Sequence, residues 1–552
     1  MVNLLFFNPL WDTYRTCDTE VSLLGYLEIS GQLIRSGRDL KLAIDVNTKS
    51  VSIDDYIYNH LLNDAKGSFS FVIKVNDTLY AAVDIIRSKP LFIEERNGEL
   101  YIRDNINQPA ADSEVDLDYL EQFLVSGFVY GNKTVYKKIR VLQAGEIIKA
   151  KDGRIKSKRY FRFEYRKDIV NLKSDGQIGK ELDAVILNVF KRMIRSCPEV
   201  NNWVIPLSGG YDSRTIVNYL YKLGVKNVVC FSYGSVGNEQ SSISEQVAKA
   251  LGYKWEFLEY TEELWRELHL SGLFDKYISY AFNGCSSAHL QDLLAVYLLK
   301  NKNIIGKNDV FVPGHCLDWL CGNQLSSEVF SLNSKDEINY VEKIHANLWD
   351  GKKHSESIAS SIKQIYDTER AGSFSFPEFF RWQERKAKFI VNSVRAYEFF
   401  GFNWRLPYWD REIVDFWLRI DWQRRLYRKF FCNSAEKHLF VPELSGIPFV
   451  KNSKKRKSQL FFSLLPNRLK VFIIRLIKRK VVVREGLNQI YALKARDIAD
   501  LASPLDAFPR ELREYIKPHL KRSPYQYNAN GLTTLYTLKR EVLENNLKTQ
   551  GG

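Results

Sequence analysis

Nowhere in these 552 residues does an apolar run reach the length of about 20 residues that a bilayer crossing needs. Nor does the opening Met1-Val2-Asn3 begin a basic segment, apolar core and small-residue cleavage site of the secretory kind. The expectation is a cytoplasmic protein with no integral membrane association. Cysteine is sparse, odd in number and scattered (Cys17, Cys197, Cys230, Cys285, Cys316, Cys321 and Cys432), which argues against a disulfide framework and fits a reducing compartment. Cys316 and Cys321 are the nearest pair, but no matching Cys/His pair follows, so zinc is not expected. Acid is missing altogether between Lys451 and Arg484, in a chain whose net charge is +15. That balance asks for an anionic partner. Aromatic and basic residues do not interleave as in a nucleic-acid module, and a solvated basic face is the favoured reading, with no nucleic acid. Within the stretch, Arg468–Arg479 reads as an amphipathic helix opened by Pro466, for which burial is favoured over docking on an anionic membrane.

What the chain has in plenty is material for cores. Hydrophobic residues make up 45 % of a length that implies more than one domain. Up to about Arg103 short alternating strands recur (Leu4–Phe7, Gly25–Ile34, Ser68–Val75, Thr78–Val83, Leu91–Glu94, Leu100–Arg103), with a helix over Asp54–Leu62. A bridging segment follows, with a helix near Asp116–Ser126 and hairpins over Val135–Ile139 and Glu146–Lys149. Residues 1–165 are therefore read as a β-rich sandwich. From Gly176 a helix to Ser196 leads into alternating strands and helices: Asn227–Tyr233, Ser241–Leu251, Trp255–Glu259, a helix about Ala288–Leu299, and Val310–Pro313. That order predicts a doubly wound parallel sheet within residues 176–552, with a helical part from Asp336 onward and ligands at the carboxyl ends of the strands. The fold class is thus α/β and α+β in two domains.

The second part is organised around Val204-Ile205-Pro206-Leu207-Ser208-Gly209-Gly210-Tyr211-Asp212-Ser213. An apolar strand runs into a glycine turn and then a helix start. Paired glycines free the backbone and leave no Cβ before an approaching ligand. Their N–H groups, with a helix N-terminus behind, make an anion site. Ser208 and Ser213 can add hydroxyls, and Asp212 a carboxylate for Mg²⁺. The lysine and spacing of a Walker loop are absent.

Ser208-Gly209-Gly210-Tyr211-Asp212-Ser213 resembles the pyrophosphate loop of ATP pyrophosphatases. The whole arrangement resembles the asparagine synthetase family, relatives of which include β-lactam synthetases and lasso-peptide cyclases. Gly67-Ser68-Phe69-Ser70-Phe71 and Asp84-Ile85-Ile86-Arg87-Ser88-Lys89-Pro90-Leu91-Phe92 look like the family's Gly-x-Phe-x-Phe and Asp-x-x-Gly-x-x-Pro-Leu-Tyr, with Arg87 in place of glycine. Phe231-Ser232-Tyr233-Gly234 looks like the segment that holds adenine and ribose. Val312-Pro313-Gly314-His315-Cys316-Leu317-Asp318 stands where the family has Ser-Gly-Glu-Gly-x-Asp-Glu, and Arg405-Leu406-Pro407-Tyr408-Trp409-Asp410 resembles Arg-Val-Pro-Phe-Leu-Asp.

The resemblance implies an Ntn-hydrolase-like N-terminal domain and an ATP-pyrophosphatase domain that adenylates a carboxylate with ATP and Mg²⁺ and passes it to a nitrogen nucleophile. It implies an ATP and pyrophosphate site at Leu207, Ser208, Gly209, Gly210, Asp212, Ser213, Tyr233, Gly314 and His315, and a metal site at Asp212 and Asp318. His315, replacing a family glutamate, is open between a structural role and a pyrophosphate contact. Lys451 is preferred over Lys429 and Lys454 for the cation on the developing charge, and Glu398 with Tyr397 for polarising the amine. Val2 stands where the family exposes its nucleophilic cysteine, and the glutamine-pocket strings are missing around Gly25-Tyr26-Leu27-Glu28, so glutaminase activity is expected to be lost. The partners would be a small-molecule or peptide carboxylate and a nitrogen donor; a homodimer stays open. The alternatives are a glutamine-hydrolysing asparagine synthase, an RNA-modifying pyrophosphatase, and a binding protein that retains the fold without the chemistry. Asp212 and Asp318 speak against the last.

Overall fold

The structure, a computed structural model, describes residues 2–106, 114–165, 173–348, 356–369, 375–450 and 529–544. Lys451 and the basic stretch that begins there, including the helix read over Arg468–Arg479, lie outside the described residues.

The first part of the chain builds two sheets. One is four-stranded and mixed, in the order β1 (Val2–Leu5), β8 (Glu99–Arg103), β7 (Phe92–Arg96), β9 (Ile139–Val141), with β1 parallel to β8. The other is antiparallel and runs β11 (Arg154–Arg159), β10 (Glu146–Lys151), β6 (Thr78–Val83), β5 (Lys66–Val75), β3 (Thr19–Ile29), β2 (Asp12–Arg15), with β4 (Gln32–Ile34) hairpinned to β3. Alternation along the strands sets the two faces. Val72, Leu79, Ala81 and Val83 meet Ile93 and Ile102 of the smaller sheet. Phe69, Phe71, Ile73 and Tyr80 pack on the other face under helix α1 (Gly37–Asn47). The helix read over Asp54–Leu62 is present but irregular, its turns widening over Tyr56–Leu61. Around Val135–Ile139 the pairing is reduced to isolated antiparallel bridges, Lys133 to Arg140 across the segment and Tyr136 to Val115, and the regular strand begins at Ile139.

Helix α2 (Leu117–Ser126) closes on Gly127, whose left-handed backbone (φ 82°) ends it. Helix α3 (Asp175–Arg195) opens on a capping box between Ser174 and Gln177. Beyond it stands a five-stranded parallel sheet in the order β14 (Lys254–Glu259), β13 (Val228–Gly234), β12 (Trp203–Pro206), β15 (Val310–Phe311), β16 (Asn403–Trp404). The chain winds outward from β12 through α4 (Tyr211–Lys222) and α5 (Glu239–Ala250), then crosses back to β15, so β12 and β15 flank the switch point. Helix α6 is shorter than its apolar run suggests, Leu293–Asn301; Ala288 and Leu290 are buried in irregular chain before it.

Charged residues, buried and paired, join the sandwich to the parallel-sheet region. Arg192 of α3 donates to Glu28 of β3 (2.9 Å), Asp410 (2.8 Å) and Glu412 (2.7 Å). Lys388 donates to the carbonyls of Val129 (2.7 Å) and Gly131 (2.6 Å) and to the Glu384 carboxylate, which also accepts the Gly131 N–H. Arg87 and Trp382 tie the Asp84–Pro90 loop to the helical stretch around Ala387. Lys388→Met would leave the fully buried Glu384 carboxylate facing two freed carbonyls. Breaking such a pair costs about 3–5 kcal/mol, so the variant should melt several degrees below the wild type in a thermal denaturation scan.

Candidate active site

Loop Leu207–Gly210 leaves the carboxyl end of β12 and turns into α4, with Gly210 at the N-cap. Inside the loop Ser208 N–H donates to Ser213 Oγ (2.9 Å), the two hydroxyls lie 3.0 Å apart, and Gly210 N–H reaches Ser208 Oγ at 3.3 Å. These hydrogen bonds are all made within the loop and its helix start. Gly209 is glycine for a different reason: a Cβ there would meet Val450 Cγ2 at 2.3 Å. Residues 447–450 are stapled across the loop. Val450 N–H donates to Gly209 O (3.1 Å), and Arg214 lies 3.8 Å from the Phe449 ring centroid, which stacks on Tyr211 at 3.8 Å.

The second loop, after β15, presses on the start of α4. A Cβ on Gly314 would stand 3.0 Å from Ser213 N and 3.2 Å from Asp212 Cβ. Cys316 caps the short helix Leu317–Leu320 in a left-handed conformation (φ 74°), so the glycine-like backbone of the motif persists without glycine. Asp318 N–H donates to Asp212 Oδ2 (2.9 Å), and Asp318 Oδ2 accepts from Asn323 (3.0 Å). Burial first, and the Asp318 charge second, push the Asp212 carboxyl well above the ordinary carboxylate range. His315 shares a hydrogen bond with Ser393 Oγ (2.9 Å), and burial lowers its pKa, so it stands neutral near pH 7.

These residues line one cavity of about 370 Å³ with Lys386 and Arg428. The two cations were not picked out from the sequence. Lys386 lies in Arg381–Ile390, a wide helical stretch carrying two arginines and two lysines, where no spacing separates the one that faces the loops. Its ammonium lies 5.4 Å from the Trp319 ring centroid. Arg428 (φ 60°) follows Tyr427 (φ 56°), and this left-handed pair turns its guanidinium toward the Tyr211 ring; its Nε is buried with no hydrogen-bond partner. Lys429, one residue on, is exposed.

Ser208, Gly210, Asp212, Gly314, His315 and Asp318 therefore come together, with Leu207, Gly209 and Ser213 packed directly behind them. Tyr233 stands at the end of β13 and donates to Asp292 (2.6 Å), whose other oxygen accepts from Tyr397. Tyr397 is fully buried against Phe311. Glu398 pairs with Arg395, accepts from Trp404 Nε1 (2.8 Å), and lines a different pocket. Among the described residues no group of three or more His, Cys, Asp or Glu is placed to hold a metal. No described helix is long and apolar enough to cross a membrane.

Residues 22–161 match the family model of a glutamine amidotransferase domain, and this part of the chain is amidotransferase-like. No curated protein matches the chain. Three solved structures to which it is similar are the allosteric regulatory enzyme of purine biosynthesis (15 % identity, 45 % of this chain, TM-score 0.19), the NMN synthetase of Francisella tularensis (16 %, 39 % of this chain and 97 % of that one, TM-score 0.21), and the glutamine phosphoribosylpyrophosphate amidotransferase of B. subtilis complexed with ADP and GMP (12 %, 66 % and 77 %, TM-score 0.20). The chain spans 62 % of the length of the first. At these TM-scores the likenesses carry no further argument.

The Asp212 shift gives a pH signature. A carboxyl whose folded pKa lies above its unfolded one keeps its proton longer in the fold, so its contribution falls as pH rises between the two values. In metal-free buffer Asp212→Asn should therefore melt higher than wild type at pH 8, with the gain shrinking toward pH 4; an equal gain at both would mean that Asp212 is ionised freely.

Proposed function

We propose that this protein is an ATP-dependent amide ligase that adenylates a substrate carboxylate, releases pyrophosphate, and passes the acyl group to a nitrogen nucleophile with release of AMP. The observation that carries this reading is the meeting of two strand-end loops at the switch point, with Asp212 and Asp318 joined at 2.9 Å beside Lys386 and Arg428. Such a cluster opposes carboxylates and cations across one cavity, the balance a polyphosphate with a divalent ion requires.

The residues fit Mg²⁺. Two oxygen donors face one opening, and one is driven toward its protonated form by burial first and by the charge of the other second, a cost that a hard cation removes. Asp212 and Asp318 would hold the ion, and when bound it would neutralise charge on the departing phosphates. The chain's own part is positioning. The N–H groups of Gly209 and Gly210 and the N-terminus of α4 receive the pyrophosphate. Ser208 and Ser213 hydroxyls turn from each other to phosphate oxygens. Lys386 and Arg428 stabilise the negative charge that builds on the leaving group. His315, neutral and steadied by Ser393, is a hydrogen-bond partner rather than a charge.

Glutaminase activity is proposed to be absent. This rests on β3, where Leu24-Gly25-Tyr26 offers no amide or carboxylate, and on the Lys89 stem, which covers Gly25 so closely that a Cβ there would meet Lys89 Cε at 2.9 Å. The match of residues 22–161 favours a second reading, in which glutamine supplies the nitrogen. Glutamate released from glutamine above a blank would favour that reading.

With its carboxylate substrate the protein should exchange labelled pyrophosphate into ATP. Asp212→Ala or Asp318→Ala should reduce exchange to background, and Lys386→Met or Arg428→Gln should lower it about 10²-fold, the size of one lost electrostatic contact in the transition state. Formation of ADP instead of AMP would rule out the reaction class.

A further inference from the structure

A second pocket, of about 180 Å³, opens where the sandwich meets the parallel-sheet region. Its walls come from both: the ends of β1 and β8, Leu24 of β3 and Lys89 on one side, Tyr280–Asn283 with Arg395 and Glu398 on the other. The pocket belongs to neither the loop site nor its chemistry.

Its acids are spoken for. Asp104 accepts the N–H groups of Phe7 (2.9 Å) and Asn8 (2.8 Å) and the Trp11 indole (2.9 Å). Glu398 holds Arg395 and the Trp404 indole. The cations differ: Arg395 is held by Glu398 and donates to the Ser88 carbonyl (2.7 Å), whereas the Lys89 ammonium is not paired. Lys89 is 5 % exposed, and its ammonium lies 4.2 Å from the Trp404 ring centroid. Among the described residues it has no hydrogen-bond or ion-pair partner. Arg395 Nε is likewise buried without an acceptor. An ammonium on a largely buried side chain, with an aromatic face beside it and no carboxylate bonded to it, is costly unless an anion completes it.

Phe7, Pro9, Leu24, Pro90 and Phe282 give the pocket an apolar side, and Asn8, Asn105, Tyr280 and Asn283 complete the lining. A phosphate would bring a second negative charge up to Asp104 and Glu398, whereas a single carboxylate matches the single free ammonium. We propose that this interdomain pocket binds a small monocarboxylate with an apolar body, its carboxylate held by Lys89. The inference is independent of the amide-ligase reading.

Burial lowers the Lys89 pKa to about 8, against the opposing pull of Glu398 and Asp84 and with help from Arg395 and Arg405. Binding should therefore weaken as pH rises through that value.

The test uses the full chain with 3-phenylpropionate and butyrate as probes and neutral 3-phenylpropionamide as control. The acids should raise the melting temperature at pH 7 and the amide should not. Lys89→Met should bind the acids at least tenfold more weakly. If that variant fails to fold, the wild type still answers: acetic anhydride should label Lys89 at pH 8, read by peptide mass spectrometry, and 3-phenylpropionate should protect it. Equal stabilisation by acid and amide, an undiminished response in Lys89→Met, or no stabilisation together with no protection would each overturn the proposal.

Discussion

Two carboxylates brought face to face at the end of a parallel sheet have to be held there against their own repulsion, and much of the surrounding structure serves that purpose. Asp318 offers its backbone N–H to Asp212, so the first contact between the loops is attractive although the side chains are not. Gly314 lets the second loop come within van der Waals distance of Ser213, which a side chain would prevent. Tyr408 donates to the Asp212 carbonyl (2.6 Å), fixing the first turn of α4 from a third segment of the chain. The unfavourable term is local and electrostatic; the terms that oppose it are steric and distributed over strands that are distant in sequence.

Holding the loops demands a rigid base, and the buried ion pairs between the two parts of the molecule supply one. Arg192 engages three carboxylates, one from β3 and two from the stretch after β16. Lys388 engages carbonyls on one side of the boundary and Glu384 on the other. Such contacts add little net stability over apolar packing but are costly to break singly, so they act on geometry more than on depth of the energy well. The amidotransferase-like part is thus a structural wall of the second part, whatever chemistry it retains.

The parts of this arrangement that are read from local pattern were legible. An apolar run, two glycines and a helix start identify Leu207–Ser213 unaided, and alternation identifies β5 and β6, which are buried on both faces; the strand read over Gly25–Ile34 is instead the end of β3 turning into β4. What the sequence conceals is direction. Nothing in Arg381–Ile390 distinguishes Lys386 from Lys388, yet the first faces the cavity and the second is locked to Glu384. Helix α6 lacks its expected first turn, and Ala288 and Leu290 are buried in irregular chain instead, a tertiary effect that overrides a good helical pattern. Glu398 and Tyr397, neighbours in sequence, point to different places, one into the interdomain pocket and one into the core.

Arg87 and Cys316 stand in backbone conformations that favour glycine, at φ 45° and 74°. A side chain held there costs about 1 kcal/mol relative to glycine, and both loops keep their shape regardless. In terms of substitution tolerance, position 316 is therefore specified by dihedral angle more than by functional group, whereas at 87 the guanidinium also donates to the Ala387 carbonyl (3.0 Å). Glycine, and after it asparagine, should be accepted more readily at 316 than serine, the nearest chemical analogue of cysteine, and a β-branched residue least of all. A search for related chains keyed to the thiol would miss members that one keyed to the turn would find.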